Sequence, residues 1–155
     1  MKGLIDRLEE GVCVLLLAVM TVVAFINVIT RYLIHFSLAF TEELVVSLFV
    51  WLTLVGTSIA FRQGSHLGFS FIVDRSPRAL QRVSIWLGAA LSIVLFGLLI
   101  YFGIGQIQTE RMLGATSEAL AIPQWWYTLG IPVFSLIVIF RVIEGAIKAD
   151  RKVRR

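Results

Sequence analysis

Charged residues are scarce in this chain of 155 residues: 15% are charged, whereas 58% are hydrophobic. A soluble domain usually has about 25% charged and about 45–50% apolar residues. A soluble chain this short buries only about two thirds of its surface, so it could not hide so much apolar side chain. The composition excludes a sizeable soluble domain and indicates a membrane protein.

The chain also has few of the side chains that most enzyme chemistry requires. Cys13 is the single cysteine, so no disulfide and no CxxC motif can form within the chain, and we expect Cys13 to pack as a small apolar residue. No HExxH, phosphate-binding loop or nucleophile-elbow motif occurs. The net charge of +4 is not matched by a basic, aromatic-rich surface outside the apolar segments. We therefore predict no enzyme activity, no cofactor, no metal site and no nucleic-acid binding.

What the chain does contain is four uncharged runs of 18 to 27 residues. About 20 helical residues span the hydrocarbon core of a bilayer, which is about 30 Å thick. We predict an all-α membrane protein with a single domain over residues 1–155 and four transmembrane helices at about 11–31, 42–62, 82–109 and 122–144. The segment 66–76 is too short to span and too apolar for water, which predicts a short helix lying in the membrane interface.

The basic residues are divided unequally between the two sides of these helices. Twelve of the 14 lie in the N-terminal segment, the loop after the second run and the C-terminal tail; the other two are Arg31 and Arg111. Cytoplasmic loops collect Lys and Arg, so this division predicts that both termini are cytoplasmic and that loops 31–43 and 110–118 face outward. In this topology His35 and His66 lie on opposite sides of the membrane and cannot share a metal ion.

The outward side has two features at helix ends. Trp125, Trp126 and Tyr127 are predicted to form an aromatic belt at the outer interface, and Pro132 should bend the fourth helix because it lacks a backbone N–H. Arg31 ends the first run and Glu42 and Glu43 precede the second. These charges either form an Arg–carboxylate pair that clamps the first hairpin, with Glu43 preferred, or are solvated independently.

Inside the runs there is no ionisable side chain, which argues against a proton or ion path through this chain alone. Trp51 lies near the middle of the second run, where it could stack on a substrate or, as we favour, contact lipid or a partner protein. Gly56 and Ala60 form a small-xxx-small pair that permits close helix packing. Arg62 and His66 are predicted at the inner boundary, with Arg62 meeting lipid headgroups. These five residues form our predicted partner or lipid interface.

Two stretches of the sequence, 27–68 and 116–134, resemble the small permease subunit of tripartite ATP-independent periplasmic (TRAP) transporters, the DctQ-like family. The resemblance covers roughly residues 10–145, and Ser70 departs from it where many members carry an acidic residue. The matching positions are Arg31-Tyr32, Glu42-Glu43, Phe49, Trp51-Leu52, Gly56, Arg62, Gly64, His66, Thr116-Ser117, Leu120, Pro123, Trp125 and Pro132.

This resemblance implies a non-catalytic subunit in the bacterial inner membrane. It would act as scaffold for a large, elevator-type permease that carries the sodium and solute sites, and a periplasmic binding protein would deliver the substrate, commonly an organic acid. Membrane lipids are further expected neighbours. The alternative is a self-sufficient exporter built as an oligomer of four-helix protomers, which would need an acidic residue within the membrane. The neighbouring genes would distinguish these classes.

Overall fold

The computed structural model describes residues 4–34, 39–63, 77–119 and 121–154. The chain folds into helices α1 (Leu4–Ile29), α2 (Ala39–Arg62), α3 (Arg78–Met112), the short α4 (Trp125–Thr128) and α5 (Gly130–Arg154), and a π-helical turn, Thr30–Ile34, continues α1. Four helical stretches are long and apolar enough to cross a membrane. The prediction of an all-α protein with four membrane-spanning helices is therefore confirmed. His35, His66 and the predicted interfacial segment 66–76 lie outside the described residues.

The helices extend beyond the uncharged runs, chiefly at the end of the molecule that carries both chain termini. We call this end the termini end, and the opposite one, formed by residues 30–34, 39–43, 110–119 and 121–129, the hairpin end. At the termini end α1 begins at Leu4 and α5 continues to Arg154. Glu, Lys and Arg are good helix formers, so charged flanks prolong a helix rather than end it. As a result, the charged side chains near the termini are held on helices and can face one another.

The four long helices form a layer in the order α1, α2, α5, α3, because α1 packs along α2, α2 along α5, and α5 along α3. The last helix of the chain is therefore inserted between the second and the third. In its apolar stretch 39% of the residues are buried, against 6% in α1. The core lies between α2, α3 and α5 and consists of Leu54, Ile85, Ala89, Phe96, Val138, Val142 and Ala146.

Helix α1 is attached to this core along one narrow seam. Apart from Val12, its less exposed residues recur every three or four positions and are Asp6, Glu9, Cys13, Leu16, Met20, Val23 and Asn27. That spacing is typical of two helices packed side by side with a slight left-handed crossing. The rest of α1 is bare apolar surface, with side chains such as Leu15, Val22 and Phe25 exposed. The fold thus leaves one edge helix that needs lipid or another protein around it.

Candidate functional site

The most extensive polar site is a network of ion pairs at the termini end, with Arg141 at its centre. Three nitrogens of its guanidinium donate to three carboxylates: Nε to Glu9 (2.8 Å), Nη2 to Asp6 (2.8 Å) and Nη1 to Glu144 (2.7 Å). The Arg141 side chain is only 6% exposed. An arginine suits this position because its planar fork can bind several carboxylates at fixed angles. Arg141 joins α5 to α1.

Arg62 extends the network from α1 to α2. Its Nη2 is paired with Glu10 at 2.5 Å and its Nη1 lies 3.3 Å from Asp6. The fully buried Ser58 hydroxyl donates to Glu9, the same carboxylate that Arg141 holds. We predicted that Arg62 meets lipid headgroups; instead its side chain is 12% exposed and turned toward carboxylates of its own chain. The physical reason is that three acidic residues of α1 neutralise Arg62 inside the protein.

Sequence reasoning missed this network because each charge was assigned to membrane topology. Glu9 and Glu10 follow Asp6 by three and four residues, so all three lie on one face of α1. Acidic residues on one face, just before an apolar run, were the available signal. Their basic partners come from distant parts of the chain and have no local signature. A separate pair at the same end, Arg82 with Asp150 at 2.8 Å, joins α3 to α5.

At the hairpin end, carboxylates accept hydrogen bonds from neutral groups. Glu43 accepts from the Ser117 hydroxyl at 2.6 Å, and the buried Glu110 accepts from Thr128 at 2.8 Å and from Gln106 at 3.0 Å. Arg31 is exposed, and none of the ion pairs in the described part of the chain joins it to Glu42 or Glu43. The structure of this single chain therefore does not bring the predicted clamp together. Glu43 turns toward the loop after α3 instead.

Trp51 connects α2 to the break between α4 and α5. Its indole Nε1 donates to the backbone carbonyl of Tyr127 at 3.0 Å, and its ring packs at a tilt against Phe134, 5.9 Å between centroids. A Cβ at Gly130 would overlap the indole, so the close approach requires glycine. Within the chain the half-buried ring of Trp51 packs against α5, and its contact with lipid or a partner stays a prediction.

Pro132 explains why the hydrogen-bond ladder is interrupted between α4 and α5. A proline has no N–H, so the carbonyl of Thr128, four residues earlier, lacks its helical donor. The break is confined to the ladder, because Leu129 keeps helical dihedrals (φ −60°, ψ −29°) and its N–H donates to the carbonyl of Trp125. The bend predicted at Pro132 stays a prediction.

The predicted aromatic belt forms a stack on α4. Trp125 lies on Trp126 with centroids 5.0 Å apart, and the guanidinium of Arg111 sits 4.1 Å above the Trp125 ring. Trp126 is exposed, while Trp125 and Tyr127 are half-buried. Stacked rings with a cation are suited to the polar–apolar boundary of a membrane. The belt itself remains a prediction.

Gly56 and Ala60 lie on the half-buried side of α2, and a Cβ added at Gly56 would meet nothing within 4 Å. These two positions are free to approach another molecule. Several hydroxyls on the spans, in contrast, are occupied by their own helix. Thr53, Thr57 and Ser92 each donate to the carbonyl four residues earlier. In the part of the chain that the structure describes, no group of three or more His, Cys, Asp or Glu side chains could hold a metal ion.

These features define an integral membrane protein whose polar groups mainly bind one another and hold helices together. Residues 5–152 match the family model of the DctQ component of tripartite ATP-independent periplasmic transporters. The chain belongs to this family. Its members are transport components and not enzymes. The chain is accordingly a multi-pass protein of the bacterial inner membrane.

Individual relatives agree with this assignment. The chain is 28% identical to the sialic acid TRAP transporter small permease protein SiaQ of Vibrio cholerae, over 93% of this chain and 82% of the relative. It is 25% identical to the C4-dicarboxylate TRAP transporter small permease protein DctQ of Rhodobacter capsulatus, over 94% and 78%. A third relative, the sialic acid TRAP transporter permease protein SiaT of Haemophilus influenzae, is 27% identical over 91% of this chain, which covers only 23% of SiaT.

Proposed function

We propose that this chain is the non-catalytic scaffold subunit of a sodium-coupled, binding-protein-dependent transporter for organic acids. It lies against a large, elevator-type permease that carries the sodium and solute sites. The observation that carries the proposal is the distribution of charge: the four runs contain no Asp, Glu, Lys, Arg or His, and the described ion pairs lie at the termini end, where most of them join helices. Charged groups within the spans usually mark the ion path of a transporter, and this chain has none there.

The SiaT relative supports a permanent partnership with a large permease. A segment similar to 91% of this chain makes up only 23% of that permease protein. Where one relative joins the small-subunit segment and the large permease in a single chain, separate small and large subunits are expected to assemble in a one-to-one ratio. The relatives are named for C4-dicarboxylates and sialic acid, which favours an organic acid as substrate and leaves its identity to the other subunits.

The orientation proposed for the complex follows from the basic residues. Twelve of 14 lie toward the termini end, so the termini face the cytoplasm and the hairpin end faces the periplasm. In this orientation the stacked tryptophans of α4 lie at the outer interface, on the side from which a periplasmic binding protein would approach.

Reconstitution into liposomes tests the division of labour. Three preparations are compared under an inward sodium gradient with the binding protein outside: this chain alone, the large permease alone, and both together. We expect saturable organic-acid uptake only with both subunits. Uptake by this chain alone would contradict the scaffold role, and full uptake by the large permease alone would make the chain dispensable. Uptake by both together without a sodium gradient would contradict the sodium coupling.

A further inference from the structure

We propose that the groove between α2 and α3, with α5 as its floor, receives one transmembrane helix of the large permease, and that this helix has a basic side chain at its periplasmic end. The inference rests on the proposed function and specifies where the partner binds. It comes from the shape, lining and charge of one face of the helix layer.

The groove consists of two cavities that follow one another along α2 and α5. The cavity near the termini end, of 370 Å³, includes Thr57 and Phe61 of α2 and is also lined by α3. The cavity near the hairpin end, of 420 Å³, includes Glu43 and Val50 and is lined by α2 and by residues 124–131. On α2, positions 43, 47, 50, 54, 57 and 61 are three or four apart and form one stripe. The distance from Glu43 to Phe61 along the helix is about 27 Å, close to the thickness of the hydrocarbon core. One spanning helix fits this length.

The lining of the groove suits a helix. In the half near the termini end it includes small residues from two helices, Gly88, Ala89 and Ser92 on α3 and Ala146 and Ala149 on α5, beside larger ones such as Phe61 and Leu95. Small side chains allow helix backbones to approach closely, which is a main source of attraction between helices in a membrane. The hydroxyls of Thr57 and Ser92 are bonded within their own helices, so they do not require water. The predicted contact residues Gly56 and Ala60 lie on the neighbouring side of α2.

Charge favours a helix with a basic end over an anionic phospholipid. Glu42 and Glu43 stand at the periplasmic mouth of the groove, and neither has an ion-pair partner among residues 4–34, 39–63, 77–119 and 121–154. Two carboxylates repel a phosphate and attract Lys or Arg, more strongly where water is partly excluded. The cavity on the opposite face, between α1 and α5, ends instead at Glu9 and Arg141, which neutralise each other. Of these two faces, within the described residues, the one with Glu42 and Glu43 therefore has carboxylates without an ion-pair partner.

Photo-crosslinking in the complete transporter identifies the occupant. A benzoylphenylalanine replaces Leu95, an exposed residue of α3 that lines the groove; the matched control replaces Val94, which is exposed on the opposite face of the same helix and does not line the groove. We expect a covalent adduct with the large permease from position 95 and little or none from position 94. A lipid adduct or a dimer of this chain at position 95 would overturn the proposal.

Two substitutions test the steric and charge arguments by co-purification of the large permease. Gly88→Leu fills the groove, and a Cβ at Gly88 meets nothing within 4 Å inside the chain. Gly105→Leu is its control, since Gly105 is exposed on the same helix with similar open space. Glu42→Lys reverses an exposed charge at the mouth, and Glu118→Lys reverses an exposed one elsewhere at the hairpin end.

We expect recovery of the permease to fall about fivefold to tenfold for Gly88→Leu and to a lesser degree for Glu42→Lys, with the controls unchanged. Each variant is first shown by size exclusion to be folded; if Gly88→Leu is not, Glu42→Lys and the crosslink decide. Full recovery with both groove variants would overturn the proposal. If the wild-type chain itself recovers no permease, the proposed function fails. If the wild-type chain recovers the permease and both groove variants recover it equally well, only the proposed groove is wrong.

Discussion

Different kinds of polar contact join the helices at the two ends of the layer. At the termini end Arg62, Arg82 and Arg141 bind carboxylates on neighbouring helices. At the hairpin end hydroxyl, amide and indole groups donate instead: Ser117 to Glu43, and Trp51 to the carbonyl of Tyr127. At the termini end both partners of a contact are ionised, whereas at the hairpin end only the acceptor is ionised or neither partner is. An ion pair with good hydrogen-bond geometry is a strong contact, but it leaves a buried charge behind when one partner is lost. The termini end should be the more firmly held and the less tolerant of substitution.

The difference has a consequence for α1. This helix contributes Asp6, Glu9 and Glu10 to the network, yet along its length it is attached only by one seam to α2. The charge network therefore holds an edge helix that apolar packing alone holds weakly. In a membrane, lipid tails compete with every apolar contact, so polar contacts gain relative importance in fixing a helix.

The largest effect is expected from Arg141→Ala. It leaves Glu9 buried without its main partner, and removal of one member of a buried ion pair costs about 3–5 kcal/mol. The free energy of unfolding is measured in detergent micelles by titration with SDS, followed by circular dichroism. Arg151→Ala, an exposed arginine of the same helix, serves as control and should change little.

Two further variants sharpen this result. Glu9→Gln added to Arg141→Ala should restore part of the loss, because a neutral amide is less costly to bury unpaired. Arg141→Lys should recover little of the stability that Arg141→Ala loses, since one ammonium group cannot replace three guanidinium nitrogens at fixed angles. A loss for Arg141→Ala no larger than that of the Arg151 control would show that the termini end is not held by its charges.

A smaller effect is expected from Gly130→Ala at the hairpin half. The added methyl group overlaps the Trp51 indole, and such overpacking typically costs about 1–3 kcal/mol. Gly105→Ala provides the control, because its Cβ meets nothing within 4 Å. The same unfolding titration applies. If Gly130→Ala matches Gly105→Ala in stability, then Trp51 does not pack on α5 as described.

The smallest effect in the isolated chain is expected from the pair Arg31 and Glu43. Since no ion pair joins them there, a double-mutant cycle with Arg31→Ala and Glu43→Ala should give a coupling within about 0.5 kcal/mol. In the assembled transporter the clamp stays a prediction, with a coupling of about 1–3 kcal/mol. A coupling near zero in both settings would mean that these charges are independently solvated helix ends.

The sequence by itself determined the class of the protein and the number of its spanning helices. Four uncharged runs of membrane length are a local property, because lipid offers no hydrogen-bond partner and an apolar segment must satisfy its backbone as a helix. Pro132 is likewise a local signal: it has no N–H to donate to the carbonyl of Thr128, and the hydrogen-bond ladder is interrupted between α4 and α5. The family can likewise be recognised from the sequence, since the family model matches residues 5–152.

Only the tertiary structure decided which polar groups meet. Arg141 and Asp6 are 135 positions apart, and nothing near either residue indicates the other. Their contact depends on the insertion of α5 between α2 and α3, and helix order in a layer is set by side-chain fit over whole faces. The same applies to Trp51, which turns inward because Gly130 leaves room for its ring and the break before α5 leaves the Tyr127 carbonyl to accept its N–H. Periodicity can place a residue on a helix, but the rotation of that helix against its neighbours is a property of the packed whole.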